Sequence, residues 1–338
     1  MKKLLIATTA LVATAGMAAA DVKLTGYAEI GMTDGGGATG MEMHSDMDVG
    51  FKLSGASDNG LTFGASIDLD EVSGGIASTG GSQAINVSGA FGTLTMGDTD
   101  GAMDKRNNEV GSLTAISDNH TGHAGYNGGA GLDSGNGQKD ILRYDTSVGD
   151  FNVSASIGQD DGATNNDVMG YGLSTTVGTV ALSVGYQTDN SQDITAVSAK
   201  STIGGLTVTA NYSEATMDAT AEIVGVSAVN FVFDVVTGGV TAAGKKGVTG
   251  VAAVDNSYEH TGLGLGYTVS GVNLSANYGS YDYDDGSSAD GFGLAANYSL
   301  GGGATVMVGY GSGNARATNR VAAAADVDTF SVGLGLSF

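Results

Sequence analysis

Carboxylates and histidines that lie close together in the chain are the first candidates for chemistry, because both side chains can bind metal ions. Two acidic groups could bind calcium; they are Asp282, Asp284 and Asp285, and Asp160, Asp161 and Asp167. His120 and His123 could share a metal ion, but no third ligand is evident. Groups of this kind are more often solvated loops, so we predict no metal site and no cofactor, with calcium in the loops as the open alternative.

Common catalytic motifs are also missing. Ser, His and Asp are all present, but no Gly-x-Ser-x-Gly motif occurs. The absence of Cys excludes cysteine nucleophiles, thiolate zinc sites and iron–sulfur clusters. The segment 128–133 resembles one copy of a calcium-binding nonapeptide repeat, and one copy cannot stack into a β-helix. We therefore predict that the protein is not an enzyme.

Composition excludes further classes. The 338 residues include 13 basic and 36 acidic side chains, for a formal charge of −23. Such a chain repels nucleic acid, which rules out that partner. The 41% hydrophobic content is too high for a disordered protein. The 58 glycines follow no G-X-Y period, which excludes collagen, and Pro and Trp are absent. A glycine-rich, acidic β-protein remains.

The first twenty residues predict an export signal. A cationic start at 1–3 is followed by an apolar run over 4–17 and by three alanines at 18–20. This pattern is typical of a signal peptide cleaved before Asp21. Removal of Lys2 and Lys3 gives the mature chain a charge of −25, which is −23 minus 2. The predicted organisation is a signal peptide at 1–20 and one domain at 21–338.

Apolar and polar residues alternate with a period of two along the mature chain. In 327–338, one face carries Phe330, Val332, Leu334, Leu336 and Phe338, and the other carries Thr329, Ser331, Gly333, Gly335 and Ser337. Alternation of this kind indicates a β-strand. Sixteen segments show it: 22–32, 41–54, 61–71, 82–90, 93–98, 138–147, 151–159, 168–177, 180–188, 194–203, 206–214, 257–269, 272–284, 289–299, 304–311 and 327–338.

The connectors between these strands alternate in length. Those after even-numbered strands are tight, and those after odd-numbered strands are mostly longer, notably 99–137 and 215–256. We therefore predict an all-β fold, a transmembrane antiparallel barrel of 16 strands with short periplasmic turns and long extracellular loops. An extra hairpin over 223–254 would raise the number to 18. A soluble sandwich would not sort its connectors in this way.

Aromatic residues on the apolar faces predict two girdles at the membrane interfaces. The first comprises Tyr186, Tyr212, Tyr278 and Tyr310, each six residues beyond the start of its strand. The second, near the tight turns, comprises Tyr144, Phe151, Tyr267, Tyr298 and Phe338. Glycines on the opposite faces are expected to leave space for a water-filled passage.

Several segments resemble the Gram-negative porins of the alphaproteobacterial, Rhodobacter type. They are Asp21–Gly26, Gly60–Ser66, Ser88–Asp98, Leu300–Ala304 and the terminal Phe338. The resemblance implies sixteen strands, a homotrimer in outer-membrane lipid, and a third long loop that folds into the lumen as a constriction.

The third long connector is 99–137. The candidate constriction residues are Asp98, Asp100, Asp104, Glu109 and Asp118. Strand parity points a second set into the lumen, because charges facing lipid are unfavourable. The candidate pore-wall residues are His44, Asp46, Asp48, Lys52, Asp68, Asp70 and Arg143; Lys23, Glu29 and Asp145 share their inward parity.

The acidic excess predicts the direction of ion selectivity. Asp46 and Asp48 stand where the family would be expected to carry arginines, which leaves Lys52 and Arg143 as the main basic candidates. Charged rings determine ion preference, so we predict a passive diffusion channel for small hydrophilic solutes that prefers cations. The alternatives are a substrate-specific outer-membrane channel, which would need an ordered ladder of lumen aromatics or basic residues, and a secreted β-rich adhesin or surface protein.

Overall fold

A computed structural model describes residues 21–36, 40–70, 82–111, 113–117, 122–127, 141–159, 167–218, 220–223, 231–234, 239–242, 251–254, 257–314 and 326–338. Within these ranges the chain forms twenty β-strands and one short helix. The predicted signal peptide at 1–20 lies outside them. No helix in the described part of the chain is long and apolar enough to cross a membrane.

The strands range from 4 to 15 residues in length. They are β1 (Asp21–Asp34), β2 (Glu42–Ala56), β3 (Thr62–Asp70), β4 (Ser82–Gly89), β5 (Gly92–Gly97), β6 (Ile141–Val148), β7 (Phe151–Gly158), β8 (Val168–Val177), β9 (Val180–Thr188), β10 (Gln192–Ile203), β11 (Leu206–Met217), β12 (Thr220–Ile223), β13 (Phe231–Asp234), β14 (Gly239–Ala242), β15 (Val251–Val254), β16 (Tyr258–Val269), β17 (Val272–Tyr283), β18 (Ser288–Gly301), β19 (Ala304–Asn314) and β20 (Asp326–Ser337). The helix α1 (Ala102–Arg106) lies between β5 and β6.

Sixteen of the strands close into one antiparallel barrel, in the order β1 to β11 followed by β16 to β20. The barrel closes where β20 pairs with β1, with Leu334 opposite Ile30. Closure removes the exposed strand edges that an open sheet would present, so the backbone groups pair all round the wall. The predicted count of sixteen is confirmed.

The alternative of eighteen barrel strands is wrong. The connector between β11 and β16 does contain strands, but β12 pairs with β15 and β13 pairs with β14 in two separate two-stranded sheets. In the barrel, β11 pairs directly with β16, with Ala210 opposite Leu263. The apolar residues of this connector therefore add strands outside the wall rather than to it.

The tight turns fall where the sequence predicts them. Two-residue turns join β6 to β7, β8 to β9, β10 to β11 and β16 to β17. Gly149 and Gly178 have φ angles of 61° and 63° in the first two, a left-handed conformation that hairpin turns require and glycine adopts without strain. The longer connectors lie at the opposite rim.

Candidate pore and constriction

The two faces of the barrel wall differ in composition and exposure. On β11, Leu206 and Tyr212 are 40% and 37% exposed, whereas Thr209 and Asn211 are buried. The same alternation holds on β17, where exposed Leu274 contrasts with buried Ser275 and Asn277. Successive side chains of a strand point to opposite faces, so the barrel has an apolar outside and a polar inside. An apolar exterior of this extent indicates contact with lipid rather than water.

Residues 98–111 and 113–117, which we call the inner segment, lie inside the barrel. Its backbone and side chains contact β6 to β10, β16 and β18 to β20, and finally β1. The wall residues that it contacts, such as Ser156, Ser198 and Asn297, carry the inward parity of their strands. The inner segment therefore follows the inward face of the wall for most of the circumference.

Helix α1 anchors the start of the inner segment on β7 to β9. The Ala102 N–H donates to Ser156 Oγ at 2.8 Å, which satisfies one of the free amides of the first turn. Met103 is 1% exposed and packs with Val168, Ile194, Ala196 and Ala215. These inward apolar residues form a small core between the inner segment and the wall.

A charged cluster fixes the end of α1. Arg106 donates to Asp145 Oδ1 at 3.1 Å and to Ser154 Oγ at 2.6 Å. Arg143 donates to Asp145 Oδ2 at 2.9 Å, to Thr99 Oγ1 at 2.9 Å and to the Asp100 carbonyl oxygen. Arg143 thus points inward, as parity predicts, but it is only 4% exposed. Its guanidinium lies beneath the inner segment and does not face the open lumen.

The inner segment continues along the wall by hydrogen bonds and close packing. The Asn108 N–H donates to Ser198 Oγ at 2.8 Å on β10, and Asn297 on β18 donates to the Thr114 carbonyl at 2.9 Å. Ile116 is fully buried and packs with Met307 on β19. At the far end, the Ser117 N–H donates to Glu29 Oε2 on β1 at 2.8 Å.

A second stretch, 122–127, docks on β16 and β17. His123 Nε2 lies 2.7 Å from Asn277 Oδ1, and its Nδ1 accepts from the Gly125 N–H at 3.2 Å. His260 Nε2 lies 2.9 Å from the Gly125 carbonyl oxygen, to which it donates. These contacts require the neutral tautomer of His123 with its proton on Nε2. Burial is the main reason that the pKa of His123 lies below its usual value.

The inner segment packs closely against inward glycines of the wall. This corrects the prediction that these glycines leave space for water. A Cβ on Gly172 would lie within 3.0 Å of the Ala102 carbonyl oxygen, and one on Gly264 would meet that of Val110 equally closely. Where these glycines lie, the space given up by their side chains is filled by backbone, not by water. Close approach of two backbones explains the need for glycine there.

A cavity of about 540 Å³ adjoins the inward faces of β1 to β3. Its polar lining comprises Thr25, Tyr27, Asp48, Lys52, Ser66, Asp68, Asp98 and Ser337. Three carboxylates and one ammonium group therefore line this space.

The other predicted pore residues lie as follows. His44 Nε2 is 3.4 Å from Glu29 Oε2, and Asp46 is directly opposite Glu29 in the β1–β2 register. Asp100 is exposed with Lys105 Nζ at 3.8 Å, and Asp104 is half-buried in α1. The side chain of Asp70 and the whole of Asp118 lie outside the described part of the chain.

Glu109 has an altered acidity. Its side chain is exposed, but surrounding protein atoms desolvate the carboxyl, and the negative charge of Asp100 adds to this effect. Both effects raise the pKa of Glu109, and Lys200 on β10 opposes them. Glu109 therefore loses its charge at higher pH than an ordinary glutamate.

The predicted girdle residues are all on the outward face. Tyr186, Tyr212 and Tyr278 are 39%, 37% and 46% exposed, and Tyr310 is half-buried. In the second set, Tyr144, Phe151, Tyr267, Tyr298 and Phe338 are exposed. Sequence reasoning missed three aromatic neighbours that the register supplies: Tyr171 opposite Tyr186, Phe292 opposite Tyr278, and Phe330 opposite Tyr310. Their matching strand parity could have revealed them.

The candidate metal ligands do not form a site in the described ranges. No three His, Asp or Glu side chains there converge as ligands for one ion. His123 faces Asn277 and Gly125, and its predicted partner His120 lies outside those ranges.

A closed antiparallel barrel with an apolar exterior and a polar lumen is a transmembrane β-barrel channel. The family model of the Gram-negative porins matches residues 7–319. The chain therefore belongs to the Gram-negative porin family and is an outer-membrane protein. The secreted alternative is excluded by this membership.

Individual relatives agree with this assignment. A porin of Rhodobacter capsulatus is 28% identical over 308 residues, which cover 86% of this chain and 93% of that one. A refined porin crystal structure superposes with a TM-score of 0.69 at 22% identity, covering 94% of this chain and all of that one. OmpT of Vibrio cholerae, solved in a trimer form, has a TM-score of 0.62 at 15% identity, with coverage of 95% and 100%. The resemblance to Rhodobacter-type porins is confirmed.

Proposed function

We propose that the protein is a general diffusion porin that passes small hydrophilic solutes and prefers cations. The observation that carries the ion preference is the lining of the cavity beside β1 to β3. The lining contains three carboxylates, from Asp48, Asp68 and Asp98, and the single ammonium group of Lys52. A predominantly negative lining concentrates cations and repels anions.

The positions of Arg106 and Arg143 also support a preference for cations. Arg143 and Arg106 both donate to Asp145, and Arg143 is almost fully buried. Their charges are therefore compensated behind the inner segment instead of facing the solute. Two of the basic groups that could have balanced the lumen are withdrawn from it.

We further propose that the inner segment is the constriction. It is anchored at α1, along β10, β16 and β18, and at Glu29, so it narrows the lumen as a fixed lining. Its exposed acidic residues Asp100 and Glu109 then belong to the passage. Solutes are selected by size and charge, without catalysis or a cofactor.

Planar-bilayer recording tests the proposal. The purified protein should form stable water-filled channels, and the reversal potential in a KCl gradient should have the sign of K⁺ preference. A Cl⁻ preference would refute the charge argument. Proteoliposomes should swell with small neutral sugars and exclude larger ones; swelling independent of sugar size would refute the constriction.

A homotrimer is the assembly that we propose. The outward faces of β1 to β5 carry no tyrosine among the described residues but expose Met43, Met47 and Met96. Because interface tyrosines mark contact with lipid headgroups, their absence here supports burial of this face against other copies. Light scattering in detergent should give the mass of three chains, and a monomer would overturn the assignment. The mature N-terminus should be Asp21 by mass spectrometry.

A substrate-specific channel is a second candidate because three tyrosines line the inner wall near the outer rim. Tyr258 and Tyr281 meet edge to face at 5.0 Å, and Tyr281 stacks with Tyr283 at 5.9 Å. Aromatic faces of this kind can bind sugar rings. If maltooligosaccharides at millimolar concentration interrupt the current in discrete blocks that disappear in Tyr281→Ala, this candidate replaces the general porin.

A further inference from the structure

Glu29 is a buried carboxylate at the point where the inner segment reaches β1. It is 6% exposed, and each of its oxygens has a partner. Oε1 accepts from the Tyr27 hydroxyl at 2.8 Å, and Oε2 accepts from the Ser117 N–H at 2.8 Å. His44 Nε2 lies 3.4 Å from the same Oε2. One side chain thus joins two wall strands to a residue 88 positions away.

The surroundings make this contact the last attachment of the inner segment. Ala115 and Ile116 are fully buried, and Ile116 lies close to Gly31 on β1 and Gly333 on β20. Ser117 then adopts a φ of 66°, a left-handed conformation that is uncommon for serine. Its N–H points to Glu29, so the carboxylate holds the chain where the backbone is least favourable. A charge-assisted hydrogen bond is stronger than a neutral one.

We propose that Glu29 is the positioning residue that holds the far end of the inner segment against β1 and thereby sets the width of the passage. The cavity with Asp48 and Asp68 begins on the neighbouring strands, so any movement of residues 113–117 away from β1 enters the open lumen. Glu29 acts through the segment and contributes little as a lumen charge, because it is buried. This inference rests on the proposed function of the inner segment as the constriction.

Single-channel recording of Glu29→Ala tests the proposal, with Glu42→Ala as the control. Glu42 lies on β2, the strand that pairs with β1, and is exposed. It makes no hydrogen bond or ion pair to the inner segment within the described residues. Both variants lose one carboxylate from this pair of strands. We expect Glu29→Ala to lose the single conductance value and to slow the swelling of proteoliposomes in neutral sugars. Glu42→Ala should keep one conductance value and the wild-type sugar dependence.

A crosslink between positions 29 and 117 should restore the single conductance value. The chain contains no cysteine, so the pair Glu29→Cys and Ser117→Cys can be joined selectively by a short dithiol-reactive linker. Before linkage this variant should behave like Glu29→Ala, and after linkage the single conductance value should return. If Glu29→Ala does not insert, Glu29→Gln, which loses the charge and one acceptor oxygen, gives the same readouts.

The outcomes separate the two proposals. A Glu29→Ala channel that matches Glu42→Ala in conductance and sugar dependence overturns the role of Glu29 while the constriction stands. A wild-type channel without any sugar size limit overturns the constriction itself. A linked pair that remains heterogeneous also overturns the role of Glu29.

Discussion

Arg106 in α1 and Asp145 in β6 form an ion pair at 3.1 Å that joins the inner segment to the wall. Arg143 shares the same carboxylate at 2.9 Å. One acidic side chain therefore compensates two guanidinium groups, and the burial of Arg143 makes this compensation necessary.

Removal of that carboxylate should destabilise the protein. We expect Asp145→Asn to lower the free energy of unfolding by about 3–5 kcal/mol, because it leaves partly buried guanidinium groups without a counter-charge. Urea titration in detergent micelles, monitored by far-UV circular dichroism, measures the change in the free energy of unfolding. Asp150→Asn in the β6–β7 turn is the control, since its side chain is exposed. Equal stability of the two variants would contradict the prediction.

Neutralisation of the cavity carboxylates should reduce the cation preference. In the double variant Asp68→Asn and Asp98→Asn, the charged residues that line this cavity are Asp48 and Lys52. A unit charge at 4 Å in water is worth about 1 kcal/mol, so each substitution should lower the K⁺/Cl⁻ permeability ratio by up to about fivefold. Reversal potentials in a salt gradient give the ratio. Asp58→Asn, in the exposed turn after β2, should leave it unchanged.

The selectivity should depend on pH through Glu109. Its pKa is raised by desolvation and by Asp100, so its negative charge disappears at a higher pH than that of an ordinary glutamate. The K⁺ preference should therefore begin to decline above the usual pKa of glutamate. Glu109→Gln should lack this early part of the profile, and Asp100→Asn should move it to lower pH. A profile identical in all three proteins would show that Glu109 does not face the ion path.

Substitution of an inward glycine that contacts the inner segment should displace the segment. Gly264→Ala places a methyl group against the Val110 carbonyl oxygen, and overpacking of this kind costs about 1–3 kcal/mol. We expect a lower unfolding midpoint and a displaced inner segment, visible as faster hydrogen exchange at Val110. Gly35→Ala is the matched control, because a Cβ there meets nothing within 4 Å. Unchanged exchange in Gly264→Ala would mean that the segment does not rest on this strand.

Strand parity allowed most of the fold to be predicted from the sequence. Alternation with a period of two identifies the faces of β20, and the turns at Gly149 and Gly178 fix which neighbours pair. Each of these features is local, so a single sequence contains it. The separate sheets formed by β12 to β15 were not predictable in the same way, because apolar alternation does not specify whether a hairpin joins the wall.

The path of the inner segment could not be read from the sequence. Its contacts join residues far apart in the chain, such as Asn108 with Ser198 and Ser117 with Glu29. Parity correctly turned Arg143 inward, but it cannot show that another segment covers the guanidinium. One signal was present: inward glycines recur on adjacent strands, as at Gly172 and Gly185, where a wall facing only water would need none.

The attachment of the inner segment to one long arc of the wall leaves the cavity off centre in the barrel. This cavity lies beside β1 to β3, on the same side as the tyrosine-poor surface of β1 to β5. In a three-fold assembly built on that surface, water paths that follow the three cavities would run near the symmetry axis.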